Sequence, residues 1–323
     1  MFAAENPIPF STFFLNRASA RRPNKAWLDT IRKNETTLYI PVWQQQNLVI
    51  STDFPQAVFI NAQQVEKFNH NIDDEIFLGF HDNRAYFAIA VSMAEDFINY
   101  QENAGFEQIK KIASMLPEDE SALLAFARAM VYWHYRHQYC GVCGNKTRSD
   151  WGGNVRICTS SDCNEFHYPR IDPAIIVLVS HGERCLLGRK AEWPAGMFST
   201  LAGFVEPGET LEDAVKREVF EESGIRVDHI QYQGSQPWPF PSSIMLGFNA
   251  VAQNENIKID EDELERAHWF SREDIMQGFK DGSLRSPSHH SIAFRLIESW
   301  FNMMSTVRFI DICASITPAK SRN

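Results

Sequence analysis

The run Gly203-Phe-Val-Glu-Pro-Gly-Glu-Thr-Leu-Glu-Asp-Ala-Val-Lys-Arg-Glu-Val-Phe-Glu-Glu-Ser-Gly-Ile225 divides into a turn and a short helix. Thr210 is placed to cap the helix, Leu211, Ala214, Val215 and Val219 repeat at helical spacing, and Gly224 supplies the stop. Glu218, Glu221 and Glu222 stand at i, i+3 and i+4, so their carboxylates converge on one side. Like charges that close repel one another. A solvated face relieves the repulsion with interleaved lysines, whereas a divalent cation turns it into binding. An all-oxygen ligand set suits Mg²⁺ or Mn²⁺, hard ions that keep waters and take phosphates.

The chain around this run has 323 residues, enough for two domains with sizeable cores. Its 44% hydrophobic and 22% charged content excludes a disordered chain or a fibre. A net charge of −10 argues against a broad electrostatic hold on nucleic acid, but leaves room for a local basic pocket. Apolar runs such as 174–179 are too short to span a bilayer, and the first residues lack the basic and apolar regions of a signal peptide. No membrane partner and a cytoplasmic enzyme are therefore expected.

Cys140-Gly-Val-Cys143 and, fourteen residues on, Cys158-Thr-Ser-Ser-Asp-Cys163 have the spacing of a zinc ribbon. Two disulfides are the alternative, less suited to a reducing compartment. Four thiolates close a tetrahedral Zn²⁺ site and leave no open position, so the metal is read as structural.

Short apolar runs at 37–40, 48–50, 57–60, 76–80 and 85–91 read as strands of an N-terminal domain, 1–118. The strand–turn–strand of 76–91 echoes that of 175–189, which hints at a degenerate duplicate. A helix is predicted from Ser121 to about His137, grouped with the ribbon as 119–170. Segment 171–305 holds the glutamate helix, further strands, and helices near 273–278 and 292–303. The tail, 306–323, carries no clear signal.

Ser235-Gln-Pro-Trp-Pro-Phe-Pro-Ser-Ser243 has three prolines in nine residues, so an irregular loop is predicted rather than a central strand. Trp238 and Phe240 on a stiff backbone suit the stacking of a planar ring; a lid packed on the core is the plainer reading.

Gly203, Glu209, Arg217, Glu218, Val219, Glu221, Glu222, Gly224 and Ile225 fill every fixed position of the signature that the chain thereby resembles, that of Nudix hydrolases. The proline–aromatic run, the four cysteines and His167-Tyr-Pro-Arg-Ile-Asp-Pro173 are similar to the NADH pyrophosphatase branch of that family. One departure is the four-residue spacing within Cys158/Cys163, where many bacterial members have two.

The resemblance implies an α/β/α sandwich with a zinc ribbon and a Nudix-like N-terminal α+β domain. It implies Mg²⁺ or Mn²⁺ at Glu218, Glu221, Glu222, the carbonyl of Ala202 and a later acid. Glu263 is aligned for the last, with Asp260, Glu261 and Asp262 as close competitors. Glu221 or Glu222 would orient or deprotonate water, and Arg217 would hold a carboxylate in place, with Glu209 completing the catalytic set. Tyr168 and Phe204 would stack a ring. Gln236, Pro237, Trp238, Pro239, Phe240, Pro241, Ser242, Ser243 and Ala293 would contact substrate. The implied reaction is hydrolysis of the pyrophosphate of NADH or NAD⁺ to nicotinamide mononucleotide and AMP. Removal of an NAD cap from RNA, or a broader nucleoside-diphosphate hydrolase, is the alternative, and a binding module that does not cleave NAD is disfavoured by the intact glutamates. A homodimer is also implied, with Trp238 on a loop projecting toward the partner.

Overall fold

Alternating apolar residues build two separate sheets in the computed structural model, which describes residues 8–66, 75–92 and 101–316. The chain divides into two units, Pro9–Ile171 with Trp238–Ser242, and Asp172–Pro237 with Ser243–Asn323.

The first unit runs α1 (Lys25–Arg32), β1 (Leu38–Trp43), β2 (Gln46–Ile50), β3 (Gln56–Ala57), β4 (Ile60–Asn61), α2 (Ala62–Val65), β5 (Ile76–His81), β6 (Arg84–Ala90), β7 (Ala104–Glu107), α3 (Ile109–Ile112) and α4 (Glu118–Arg136). Its sheet has the order β3-β2-β1-β6-β5, with β4 on β1, β7 on β2, and β1 parallel to β6. Period-two alternation sends Tyr39, Leu48, Phe77 and Phe87 into one core with Leu28 of α1. Ile40, Val42, Val49 and Leu78 enter the opposite core, against Leu123, Leu124, Ala127 and Met130 of α4.

The apolar side of α4 packs on the N-terminal sheet and completes that core. The helix also starts at Glu118, three residues before Ser121, so Glu118, Asp119 and Glu120 occupy its first turn and complement the positive helix end. The ribbon strands β8 (Thr147–Asp150), β9 (Val155–Cys158) and β10 (Phe166–His167) belong to the same unit. Phe77 donates its backbone N–H to Gly152 at 2.7 Å, and buried His134 meets the Gly153 carbonyl at 2.7 Å.

In the second unit follow β11 (Asp172–His181), β12 (Arg184–Arg189), β13 (Leu201–Phe204), α5 (Leu211–Ser223), β14 (Val227–Trp238), β15 (Ser243–Ala252), β16 (Arg266–Ser271), α6 (Arg272–Asp281), α7 (Ile292–Asn302) and α8 (Phe309–Ile316). The sheet order is β14-β15-β11-β12-β16, with β13 on β11. Ile175, Val177 and Val179 pack against Val215 and Val219 of α5. Ile176 and Leu178 face the other way, against α6 and α7. This is the expected α/β/α sandwich.

Two expectations change here. The proline-rich run does not begin as a loop: β14 continues through Pro237 to Trp238, which its edge position allows because an edge strand need not donate on its outer side. The tail does have structure, since α8 buries Phe309 (1% exposed) against Phe279, Phe294 and Phe301. The C-terminal residues 317–323 lie outside the described residues.

The two sheets share one connectivity. In the second, hairpin β11–β12 places β11 parallel to β15, with β14 beside β15, β13 on β11 and β16 on β12. In the first, β1–β2, β6, β5, β4 and β7 occupy the same places in that order. The predicted duplication thus stands, but its register shifts: β5–β6 corresponds to β14–β15, not to β11–β12. Strand–turn–strand patterns are too alike to fix which hairpin is which. In this match α5 corresponds to α2, a single turn of Ala-Gln-Gln-Val with no carboxylate. The first sheet has the architecture without the site.

No helix among the described residues is long and apolar enough to cross a membrane.

Candidate active site and cysteine cluster

The local structure of α5 follows from its ends. Thr210 Oγ1 accepts from the Asp213 N–H, and Gly224 adopts φ 69° at the C-terminal stop. Between them Ala214, Val215 and Val219 lock the helix to the sheet. That fixes Glu218 and Glu222 on a buried side and leaves Glu221 half exposed.

Glu218, Glu222 and Glu263 bring one carboxylate oxygen each within 4.8 Å of one another. The choice among four consecutive acids is made by a turn. Asp260 accepts from the N–H groups of Glu263 and Leu264 and, through Oδ1, from Asp262. The segment is also tied to the end of α5 by Lys258 N–H on Ser223 O at 2.8 Å. Glu263 is the acid that this turn delivers to the other two. Glu221 stands outside the trio.

Glu222 is 2% exposed and its Oε2 has no hydrogen-bond partner among the described residues. Burial, with Glu218 and Glu263 adding repulsion, pushes its carboxyl up to about 8; Lys190 pulls the other way. Burial also raises Glu218. A buried, orphaned oxygen among converging carboxylates fits a divalent cation, which would remove both the repulsion and the unmet hydrogen bond. Lys190, before the signature, carries no pattern that sequence reasoning could use.

Arg217 organises these acids. Its Nε donates to Glu209 Oε1 at 2.5 Å and its Nη2 to Glu209 Oε2 at 2.9 Å and Phe204 O at 2.8 Å. Its Nη1 donates to Glu218 at 2.8 Å and Glu221 at 3.0 Å. All five donors of the guanidinium are used. Arg217 and the Glu206 N–H hold Glu209 down to about 2. Expected to steady one carboxylate, Arg217 in fact steadies three and a backbone carbonyl.

Gly203 explains the start of the signature. A Cβ there would lie 1.9 Å from the Glu218 carboxyl carbon. Ala202, beside it on β13, is partly buried on the opposite face.

The remaining substrate candidates separate by environment. Phe204 is 60% exposed in the second unit, and Tyr168 is 57% exposed in the first. Trp238 does not project as expected. It packs edge-on against Phe10 and Phe240, with Lys110 5.6 Å over its ring. Phe240 lies under Arg128, which also bonds Pro239 O. These apolar partners keep both rings on the core, closer to the lid reading. Pro241 follows a cis peptide, and Ser243 opens β15, opposite Asp172. Gln236 is 1% exposed, donating to His290 O at 2.6 Å and accepting from Ile292 N–H at 2.7 Å. It ties the strand end to the start of α7. Ala293 has its methyl in the core.

The four ribbon cysteines are free thiols whose Sγ atoms lie within 4.8 Å of one another. The pairs Cys140–Cys163 and Cys143–Cys158 are 3.8 and 3.4 Å apart. Tetrahedral zinc with bonds of about 2.3 Å requires edges of about 3.8 Å. Val142 N–H, Ser160 N–H and the Asn145 amide each point at a sulfur at 3.4 Å, as donors to thiolates should. Asn145 pulls Cys143 down to about 6. The set fits zinc. Protein purified without chelator should carry one zinc per chain, and Cys143→Ser should lower thermal stability and soluble yield more than it alters metal-dependent turnover. Elemental analysis finding no zinc would overturn this.

Comparison with known proteins agrees with the geometry. Residues 169–290 match the model of the NUDIX domain, and residues 36–133 that of the NADH pyrophosphatase-like rudimentary NUDIX domain. The chain is 45% identical over 233 residues to the NAD-capped RNA hydrolase NUDT12 of Macaca fascicularis, covering 68% of this chain and 50% of that one. It is 33% identical over 262 residues to the mitochondrial NAD(P)H pyrophosphatase NUDT13 of Mus musculus, covering 73% and 74%. With the NAD-capped RNA hydrolase of Schizosaccharomyces pombe it shares 31% over 354 aligned positions, covering 92% and 94%. The chain thus spans about half the length of the first relative and nearly all of the last. Both sheets, the one with the glutamate helix and the one reduced to a single turn in its place, are accounted for by that kinship: the chain belongs to the Nudix hydrolase family.

Proposed function

We propose that the chain hydrolyses the pyrophosphate bond of NADH or NAD⁺ in a metal-dependent reaction, giving nicotinamide mononucleotide and AMP. The observation that carries this reading is the convergence of Glu218, Glu222 and Glu263 around an orphaned buried oxygen. The relatives named NAD(P)H pyrophosphatase and NAD-capped RNA hydrolase support the choice of substrate.

Glu218, Glu222 and Glu263, with the Ala202 carbonyl, would hold Mg²⁺ or Mn²⁺. When bound, the metal supplies charge neutralisation at the phosphates and a more acidic attacking water. Arg217 keeps Glu218 and Glu221 in place through the bonds described. Glu221, half exposed and outside the trio, is the carboxylate available to take the proton from water. Water oxygen joins one phosphorus, and the bridging oxygen leaves with the other phosphate. Phe204, exposed on the strand that opens the signature, is a ring available for stacking. A cytoplasmic compartment, expected from the cysteine spacing, and a homodimer belong to the same proposal.

NADH, NAD⁺, ADP-ribose, FAD and NAD-capped RNA incubated with Mg²⁺ or Mn²⁺ test the reading by product analysis, with mass by light scattering. Nicotinamide mononucleotide and AMP from the free dinucleotides, and a dimeric mass, are expected. Release of free nicotinamide, or cleavage of ADP-ribose alone, would overturn the assignment. If capped RNA is the preferred substrate, its cleavage should fall steeply with salt while that of NADH does not.

A further inference from the structure

Glu218 and Glu222 are placed by α5, which its core contacts and Arg217 hold. Glu263 has no such helix. It is exposed on the turn 260–265, so its place in the trio is set by the backbone that carries it. Ahead of Glu263 that backbone is tied to the end of α5, by Lys258 N–H on Ser223 O at 2.8 Å. Beyond it comes Glu265, whose ties lead to a different element.

Glu265 donates its N–H to Arg189 O at 2.9 Å, and its Oε2 accepts from Arg189 Nε at 2.6 Å. One residue, the last of β12, thus meets both the backbone and the side chain of Glu265. Leu264, between the two acids, is 2% exposed, and a Cβ on Gly188 would lie 3.1 Å from its Cδ1. Two residues of chain reach about 7 Å at most, so a shift at this anchor carries Glu263 with it.

The other donors of Arg189 are spent on a fixed abutment. Its Nη1 donates to Pro194 O at 2.8 Å and its Nη2 to Trp193 O at 3.2 Å. That loop is itself held, since Ser199 and Gly188 exchange two backbone bonds of 2.9 Å and Arg285 N–H donates to Gly196 O at 2.8 Å. A guanidinium is a rigid planar fork, so two carbonyls on one side fix the direction in which Nε points. An ion pair between two mobile surface chains would contribute little. Here the Arg189 side chain is 11% exposed and gripped from behind.

We propose that Arg189 is a positioning residue of the metal site, acting through Glu265 to hold Glu263 against Glu218 and Glu222. This rests on the reading of the three glutamates as metal ligands. Arg217 steadies an acid carried by α5, and Arg189 the acid that α5 does not carry.

Mn²⁺ titrated into the full chain without substrate, with the free ion counted by its electron paramagnetic resonance signal, tests the proposal. Arg189→Gln should raise the Kd for Mn²⁺ about tenfold, the size expected when a residue that orients a ligand is lost. Glu263→Gln should raise it at least as much. The double variant should stay within about twofold of Glu263→Gln alone, because Arg189 acts only through that carboxylate. A role confined to stability would lower the melting temperature and leave the Kd of the folded protein unmoved. Should Arg189→Gln lose folding, Glu265→Gln, on a side chain 37% exposed, carries the same readings. Equal Kd in the wild type and Glu263→Gln would remove Glu263 from the site, and this proposal with it. If Glu263→Gln does weaken binding, an unchanged Kd in Arg189→Gln, or a further tenfold loss in the double variant, overturns the role of Arg189 while the metal site stands.

Discussion

Glu222→Gln should cut turnover on NADH by about 10²–10³-fold at saturating metal, and should make the metal-free protein more stable in alkali. The carboxyl is 2% exposed, with one oxygen unpartnered and two carboxylates facing it. Its pKa rises from an ordinary 4.5 to about 8 because burial disfavours the charged form. The folded state therefore holds this proton more tightly than the unfolded state. The resulting stability is fully present below pH 4.5 and is lost as the pH climbs through about 8. Glutamine keeps size and stays neutral, so without metal the variant should melt several degrees above the wild type at pH 9, and the two should converge at pH 4. The same proton competes with the metal, so apparent Mg²⁺ or Mn²⁺ affinity of the wild type should rise with pH up to about 8. Turnover within threefold of the wild type at saturating metal would remove Glu222 from the ligand set.

The helix that carries this residue was legible because everything that forms it is local: a cap, a helical apolar repeat and a glycine stop. The ribbon was legible for the same reason. Glu263 was not separable from its neighbours, since the deciding feature is the Asp260 turn and its ties to the end of α5, which spacing does not encode. Trp238 and Phe240 read as exposed stacking faces because their covering partners, Phe10 and Arg128, lie more than a hundred residues away in the chain. α8 escaped notice because eight mostly apolar residues make neither a clear stripe nor a cap, and Phe309 is buried by residues distant in the chain, among them Phe279 of α6 and Phe294 of α7. In the N-terminal sheet, apolar alternation located the strands but could not order them. Only the pairing of β4 with β1 and of β6 with β1 shows which hairpin copies which.

Gly203→Ala should fold normally and still lose turnover by about 10²-fold or more. The two effects separate because of what the added methyl would meet. The atoms within 2.1 Å of it are the carboxyl atoms of Glu218, the far end of a flexible side chain. Nothing about the position demands glycine for its backbone: β13 pairs regularly with β11, Gly203 opposite Ile175, and no positive φ is required. The cheap response is for Glu218 to swing aside, leaving the sheet and the core of α5 untouched. The melting temperature of the metal-free protein should then stay within about 3 °C of the wild type. Swinging aside, however, takes Glu218 away from Glu222 and Glu263 and breaks its bond to Arg217. The metal required for half-maximal activity should rise with the loss of turnover, since one of three carboxylates has left. A structural role for Gly203 would show the opposite pattern: a large fall in melting temperature with the activity of the folded fraction retained. That outcome would mean the signature begins with glycine for the strand and not for the site.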